Sequence, residues 1–424
     1  MFNLQQLKKR FGEDSLLIKN TSWLLSTEIA ARLSRILTIV VMAANLDLVE
    51  YGAAMLALAF HDIIRLVLKC GAGAQIVQCD NDKLPCFAGN GKAIQWILCT
   101  ALAVMQYHIA TAIGTFYDNP DITYLIQCLS PIYLIYPITS INVFMVMRNN
   151  QMRFLSLTNG ACILAENFST VLFLLLDFGL ISVVLGKAAN ALLWTLCFAL
   201  APVKRFQMKF DPAVTLHLVL TSSKLLGTEV CKSLRLHADS FIAGKLLPAE
   251  LFGIYSFAKT AGIGISQALN NAYNNALFPY LCRLNREARI HSNRKQIVLI
   301  TLLVASAFVL QALMAPIYVP LLFGERWNEA ISTVSLLCIA GSMNVLFDTY
   351  CNFCRATAQY QHEFVRRALV SAIGIGCLIL LQPSTPTDTG IAVLIGSAIW
   401  PLYFVLITGA SNLLGEVPAS RQRR

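Results

Sequence analysis

WLLSTEIAARLSRILTIVVMAANL, residues 23–46, reads as a membrane helix carrying two cations, Arg32 and Arg35. Two hundred residues later, SKLLGTEVCKSLRLHADSFIAGKL (223–246) repeats the arrangement without a gap. Arg32 falls on Lys232, Arg35 on Arg235, Ala43 on Ala243 and Leu46 on Leu246. The copies continue as LDLVEYGAAMLALA (46–59) and LLPAELFGIYSFAK (246–259), where Glu50 and Gly52 recur as Glu250 and, after a one-residue slip, Gly253. A charge at a bilayer centre costs about 2.5–3.5 kcal/mol or more, so a duplicated intramembrane pair points to a two-fold device with a use for cations.

Composition agrees with a polytopic membrane protein. Of the 424 residues, 56% are hydrophobic and 13% charged, against roughly 25% charged in soluble domains. Mean hydropathy is +0.61. Apolar runs predict spans at 22–44, 51–70, 93–114, 122–147, 154–176, 180–201, 220–246, 251–281, 297–322, 330–354, 364–382 and 389–413. Twelve spans of ~20 residues take about 240 residues, and no room is left for a sizeable soluble domain. Residues 1–20 are polar and basic, without the apolar core of a cleavable signal peptide, and are expected to be a cytoplasmic lead-in.

Loop charges orient the spans. One set of connections, counting Lys69 at its margin, holds 23 of the 33 Lys and Arg. The opposite set holds only Lys245 and Arg326 but collects Asp47, Glu50, Asp118, Asp121, Asp177, Glu250, Glu325, Glu329 and Asp388. The positive-inside rule places both termini in the cytoplasm. The net charge of +10 is thereby a topology signal, and a nucleic-acid partner is not expected. Six spans per half make the halves parallel repeats, predicting a bundle over 1–201, a cytoplasmic linker at 202–214 and a bundle over 215–424. Prolines and glycines within spans (Pro131, Pro137, Gly262, Gly264, Pro279, Pro316, Pro320, Pro401) predict bent helices.

Eight cations lie within spans: Arg32, Arg35, Arg65, Lys187, Lys224, Lys232, Arg235 and Lys259. Six acids accompany them: Glu28, Asp62, Glu166, Glu229, Asp239 and Asp348. Exposing all fourteen to lipid would cost on the order of 35–50 kcal/mol. They must face water or one another. Glu28, Arg32 and Arg35 share one helical stripe, as do Lys224, Thr228, Lys232, Arg235 and Asp239. In one reading they are ion-paired staples, with Glu28–Arg32, Asp62–Arg65 and Arg235–Asp239 as pairs. In the other they line a wet cationic cavity for an anionic substrate, since Arg and Lys suit phosphates. The candidate substrate cations are Arg32, Arg35, Arg65, Lys187, Lys224, Lys232, Arg235 and Arg355. Glu28, Glu166, Asp239 and Asp348 are candidates for ion coupling.

Carboxamides form a second pattern. Gln267, Asn270, Asn271, Asn274 and Asn275 lie on one face of the eighth span, and Asn344, Asp348, Asn352 and Arg355 form a comparable stripe in the tenth. Carboxamides donate and accept, which suits sugar hydroxyls; Gln267, Asn270, Asn271 and Asn274 are the candidate sugar contacts. Interhelical hydrogen bonding is the plainer use of such residues. No catalytic or cofactor motif emerges: Gly71-Ala72-Gly73 lacks the continuation of a phosphate loop, and the six histidines form no HExxH. The thirteen cysteines, scattered through apolar segments, are expected to pack as small hydrophobes. Cys351-x-x-Cys354 has no second pair to make a metal site, so neither a metal nor a cofactor is expected.

NLDLVEYGAAMLALAFHDIIRLVLKCGAGAQIVQ (45–78), RNNQMRFLSLTNG (148–160), DSFIAGKLLPAELFGIYSFAKTAGI (239–263) and NNALFPYLCRL (274–284) give the chain its resemblance. It resembles lipid-linked oligosaccharide flippases of the Wzx or polysaccharide-transporter type, in the superfamily that also holds multidrug exporters and lipid II flippases. The last third matches by hydropathy alone, and some relatives have fourteen spans. The resemblance implies an all-α, V-shaped, MATE-like pair of six-helix bundles working by alternating access in a bacterial inner membrane. It implies a transporter, not an enzyme, moving a polyprenyl-diphosphate-linked repeat unit through the lipid bilayer for polysaccharide export. A polysaccharide polymerase and export machinery are the partners it implies. On that reading Arg32, Arg35, Lys232 and Arg235 hold the diphosphate. A cation-coupled multidrug exporter, a glycan polymerase or ligase, and an assembly scaffold are the competing expectations. The first calls for an acidic site and the second for a large external loop with active-site residues.

Overall fold

The structure, a computed structural model, describes residues 31, 34–69, 73–79, 81–149, 151–203, 209–212, 214–215, 218, 237–286, 294–357 and 359–408. All regular structure among these residues is helical. The helices are α1 (Ser34–Asn45), α2 (Leu48–Lys69), α3 (Gly73–Gln78), α4 (Leu84–Phe116), α5 (Pro120–Leu129), α6 (Ser140–Arg148), α7 (Met152–Leu175) and α8 (Ile181–Ala199). There follow α9 (237–246), α10 (Ala249–Ala261), α11 (Ile263–Arg286), α12 (Arg294–Phe323), α13 (Ile331–Ala356), α14 (Tyr360–Leu381) and α15 (Pro386–Thr408).

Within the described residues, helix is found in each of the twelve predicted spans. Six helices are long and apolar enough to cross a membrane by themselves, or seven if a bent pair counts as one. That pair carries the bend expected from the prolines of the span predicted at 122–147: Pro120–Ile138 and Ser140–Arg148 meet at 52°. Pro131 and Pro137 open two 3₁₀ turns there, where missing N–H groups make a regular helix untenable. The span predicted at 251–281 is likewise two helices, parted at Gly262 (φ −86°, ψ −92°). By contrast α12 runs through Pro316 and Pro320 unbroken.

The chain divides into two compact units. One comprises the chain up to Leu46 with Ala53–Leu234, the other Asp47–Gly52 with Arg235–Arg424. In the first unit, described residues of the 202–214 segment read as a linker pack onto α4: Lys209 N–H donates to the Pro85 carbonyl at 3.0 Å and Asp211 N–H to Asn90 Oδ1, which also accepts from Thr215 Oγ1 just beyond that segment. Arg148 fans over the end of α3, donating to the carbonyls of Ile76, Val77 and Cys79. Helix ends leave such carbonyls without partners of their own.

The second unit is organised around buried aromatics. Tyr51, Phe257 and Trp327 form a triangle, with Phe257 stacked on Trp327 at 3.9 Å and Tyr51 edge-on to both. Asp47 and Glu50 are not simply loop acids: each side chain accepts from the other's N–H, at 2.7 and 3.0 Å. This capping box starts α2. At Leu48, inside this box, backbone approaches backbone, for a Cβ built on Gly253 would lie 1.8 Å from the Leu48 carbonyl oxygen. Cys351 and Cys354 pack with Phe347, Tyr350, Val370 and Trp400, as small hydrophobes do.

Candidate functional site

In the first unit, α2, α7 and α8 bring four charges together. Lys187 Nζ lies 2.8 Å from Glu166 and 3.9 Å from Asp62. The same Glu166 accepts from Asn190 at 2.8 Å. Arg65 stacks over the Tyr136 ring at 5.1 Å, a favourable placement for a desolvated guanidinium. Beneath them His61 stacks on Tyr133 at 4.8 Å, and the Tyr133 hydroxyl donates to Gln106 at 2.8 Å. On α1, Ser34 accepts from Asn167 of α7 at 2.7 Å, while its neighbour Arg35 is exposed.

The second unit holds a cavity of about 150 Å³ with polar and apolar walls. Its lining includes Asp239 (α9), Lys259 (α10), Gln267 and Asn270 (α11), and Asn344 and Asp348 (α13). The two polar stripes read from the sequence meet here. Asn352 donates to Asn274 at 2.6 Å, Asn274 to Asn270 at 2.7 Å, and Asn270 to Asp348 at 3.1 Å. Arg367 of α14 extends the chain, reaching Asp348 at 3.3 Å and Glu363 at 3.0 Å. Arg355 grips Glu363 through two nitrogens, at 2.5 and 3.1 Å. A second cluster joins Asp239 to Lys259 at 2.7 Å and to the Tyr255 hydroxyl at 2.6 Å. Gln267 donates to Asn271 at 3.2 Å, and Asn271 is exposed although Asn270 beside it is buried.

The sequence-based candidates thus separate. Lys187 and Arg355 are ion-paired, and Arg65 is stacked. Glu166, Asp239 and Asp348 each face a lysine or arginine. Asp239 has found Lys259 on another helix, a pairing the stripe pattern along a single helix does not reveal. Arg32, Lys224, Lys232, Arg235 and Glu28 lie outside the described residues. Lys259, Arg367, Glu363 and Tyr255 belong to the clusters and were not among the candidates. Glu363 falls one residue before the span predicted at 364–382 and Arg367 inside it, and their spacing of four is a pairing signal on a helix.

Charge balance in the two clusters is close. Asp62 and Glu166 accompany Arg65 and Lys187; Asp239, Asp348 and Glu363 accompany Lys259, Arg355 and Arg367. Water-poor surroundings favour such matching because an uncompensated buried charge is costly.

Comparison with known proteins places this architecture. The lipopolysaccharide biosynthesis protein WzxC of Escherichia coli (strain K12) is 21% identical over 249 residues, covering 58% of this chain and 50% of WzxC. The chain therefore matches about half the length of that relative. The lipid II flippase MurJ, in an inward closed conformation, superposes with a TM-score of 0.76 over 90% of this chain and 86% of its own, at 14% identity. An inward-facing multidrug resistance MATE family transporter superposes with a TM-score of 0.65 over 91% of this chain and 97% of its own, at 13% identity. The fold is that of MurJ and the MATE transporters. The family described as polysaccharide biosynthesis protein matches residues 41–332, and the chain, a helical multi-pass membrane protein, belongs to that family.

Proposed function

We propose that the protein flips a polyprenyl-diphosphate-linked oligosaccharide repeat unit across a bacterial inner membrane by alternating access, for polysaccharide export. The observation that carries this reading is the distribution of compensated charge. Arg65, Lys187 and Lys259 are taken up by partners within the protein. The other intramembrane cations of the sequence are Arg32, Arg35, Lys224, Lys232 and Arg235, four of which form the duplicated pairs. Arginine and lysine suit a diphosphate, arginine through paired hydrogen bonds.

Asn270 and Gln267 supply the cavity of the second unit with polar groups for sugar hydroxyls. Membership of a polysaccharide biosynthesis family and the name of WzxC support a glycan cargo. A cation-coupled drug exporter calls for carboxylates ready to take a cation, whereas Asp239 and Asp348 already face Lys259 and Arg367.

The test is a deletion strain. Lipid-linked repeat units are expected to accumulate on the cytoplasmic leaflet, and the native gene is expected to clear them. Arg35→Ala combined with Arg235→Ala is expected to abolish export at unchanged membrane abundance. Unchanged export in that variant overturns the headgroup assignment.

A further inference from the structure

The seam between α14 and α15 is bordered on both of its faces by open space. Its inner face borders the cavity of the second unit, through Ser371 and Ser397 together with Ile375, Leu378 and Val393. On the other face is an apolar groove of about 380 Å³, walled by Val365, Leu369 and Ile373 of α14 and by Ile399 and Trp400 of α15. Val370 and Gly396 line both. The partition is thus thin. At Gly396 the two helices touch through backbone, since a Cβ there would lie 2.8 Å from the Gly374 Cα.

The groove belongs to a peripheral helix. Only 11% of the α14 span is buried, the least among the described helices long and apolar enough to cross a membrane, and Val365 and Leu369 are more than half exposed. In a membrane protein this surface meets lipid chains. One end of the groove carries a cation, Arg366, stacked over the Tyr350 ring at 5.5 Å. The next residue, Arg367, turns inward to Asp348 and Glu363. Adjacent arginines therefore serve opposite faces of one helix. An apolar trough ending in a guanidinium complements an amphiphile with a long chain and a phosphate end. A diphosphate offers more charge and more acceptor oxygens to the fork of an arginine than a phosphodiester does.

We propose that this groove is the docking seat of the isoprenoid chain of the lipid-linked substrate, with the diphosphate end at Arg366. The proposal rests on the function proposed above and adds a loading position for the carrier, next to the cavity that receives its sugars.

Photolabelling tests it. The full chain with Leu369→p-benzoylphenylalanine is irradiated in vesicles containing a C55 isoprenoid diphosphate. The expected result is an adduct of isoprenoid mass that falls about tenfold in Arg366→Gln and about tenfold with the probe at Ala368, on an exposed face outside the groove. Equal labelling at Ala368 overturns the proposal. So do phosphatidylglycerol adducts at Leu369 that excess isoprenoid diphosphate does not displace. Independently, Ile373→Trp, which fills the groove, is expected to cut export about tenfold relative to Ala368→Trp at equal abundance; export at the Ala368→Trp level counts against the groove. Labelling in vesicles needs no transport, which separates the two ideas. Labelling of the Leu369→p-benzoylphenylalanine chain, together with no export restored by the native chain, overturns the proposed function and upholds the groove. Restored export without labelling does the reverse.

Discussion

Asn270 of α11 donates to one oxygen of Asp348 at 3.1 Å while Arg367 of α14 reaches the other at 3.3 Å, so a single carboxylate on α13 joins three helices. Double-variant analysis is expected to show it. Asp348→Ala alone leaves Arg367 with Glu363 as its remaining acid, and the pair Asp348→Ala/Arg367→Ala is expected to be more stable than the single effects sum to. The coupling should be on the order of 1–3 kcal/mol, read from thermal unfolding of the purified protein. Strict additivity would show that the bridge carries no energy.

Lys187 gives the corresponding prediction in the first unit. Lys187→Met removes the cation 2.8 Å from Glu166 while their side chains are only 13% and 17% exposed. Breaking one side of a buried pair costs about 3 kcal/mol or more, and neutralising both sides costs less. The Lys187→Met/Glu166→Gln variant is therefore expected at higher membrane abundance than Lys187→Met, as measured by immunoblot. The reverse order refutes the pairing.

The carboxamide chain separates stability from transport. A hydrogen bond between membrane helices contributes about 0.6 kcal/mol, so Asn270→Ala and Asn274→Ala are expected to leave abundance nearly unchanged. Export should nevertheless fall about tenfold for Asn270→Ala, because Asn270 lines the cavity. Wild-type export in that variant argues that the stripe only holds helices together.

Gly253 makes a packing prediction. With the Leu48 carbonyl 1.8 Å from an added Cβ, Gly253→Ala must push backbone aside. Overpacking of this kind costs about 1–3 kcal/mol. Gly374, with nothing near an added Cβ, provides the control. Equal melting temperatures for Gly253→Ala and Gly374→Ala would contradict the close approach.

Much of this architecture was legible along the chain. Apolar runs located the helices, and the prolines at 131 and 137 marked a real bend. The helical stripes of Asn270 with Asn274 and of Asp348 with Asn352 did lie on facing surfaces. Partner choice across helices was not legible. Asp239 had Arg235 one turn away in sequence, yet its nearest described cation, Lys259, comes from the following helix. Periodicity reports which face a residue occupies, and helix adjacency decides what stands opposite. For the same reason Glu363 escaped notice: its burial depends on Arg355 and Arg367 converging on it from two helices.

The interruption at Gly262 divides the eighth crossing into rods of 13 and 24 residues. At 1.5 Å per residue the first is about 20 Å long, too short for a hydrocarbon layer of ~30 Å. The carbonyls released at the joint, those of Ala261 and Gly262, accept from Gln311 of α12 at 3.1 Å, and Ala261 also from Tyr318 at 3.2 Å. Ser266, one turn into the second rod, bonds the same Gln311. Without those donors, bare carbonyls would stand at membrane depth, which a bilayer does not tolerate. The joint of this crossing is thus held by borrowed chemistry: a glutamine and a tyrosine of α12 supply what a further helical turn would have supplied. Its angle is a property of α12 as much as of the glycine at its vertex.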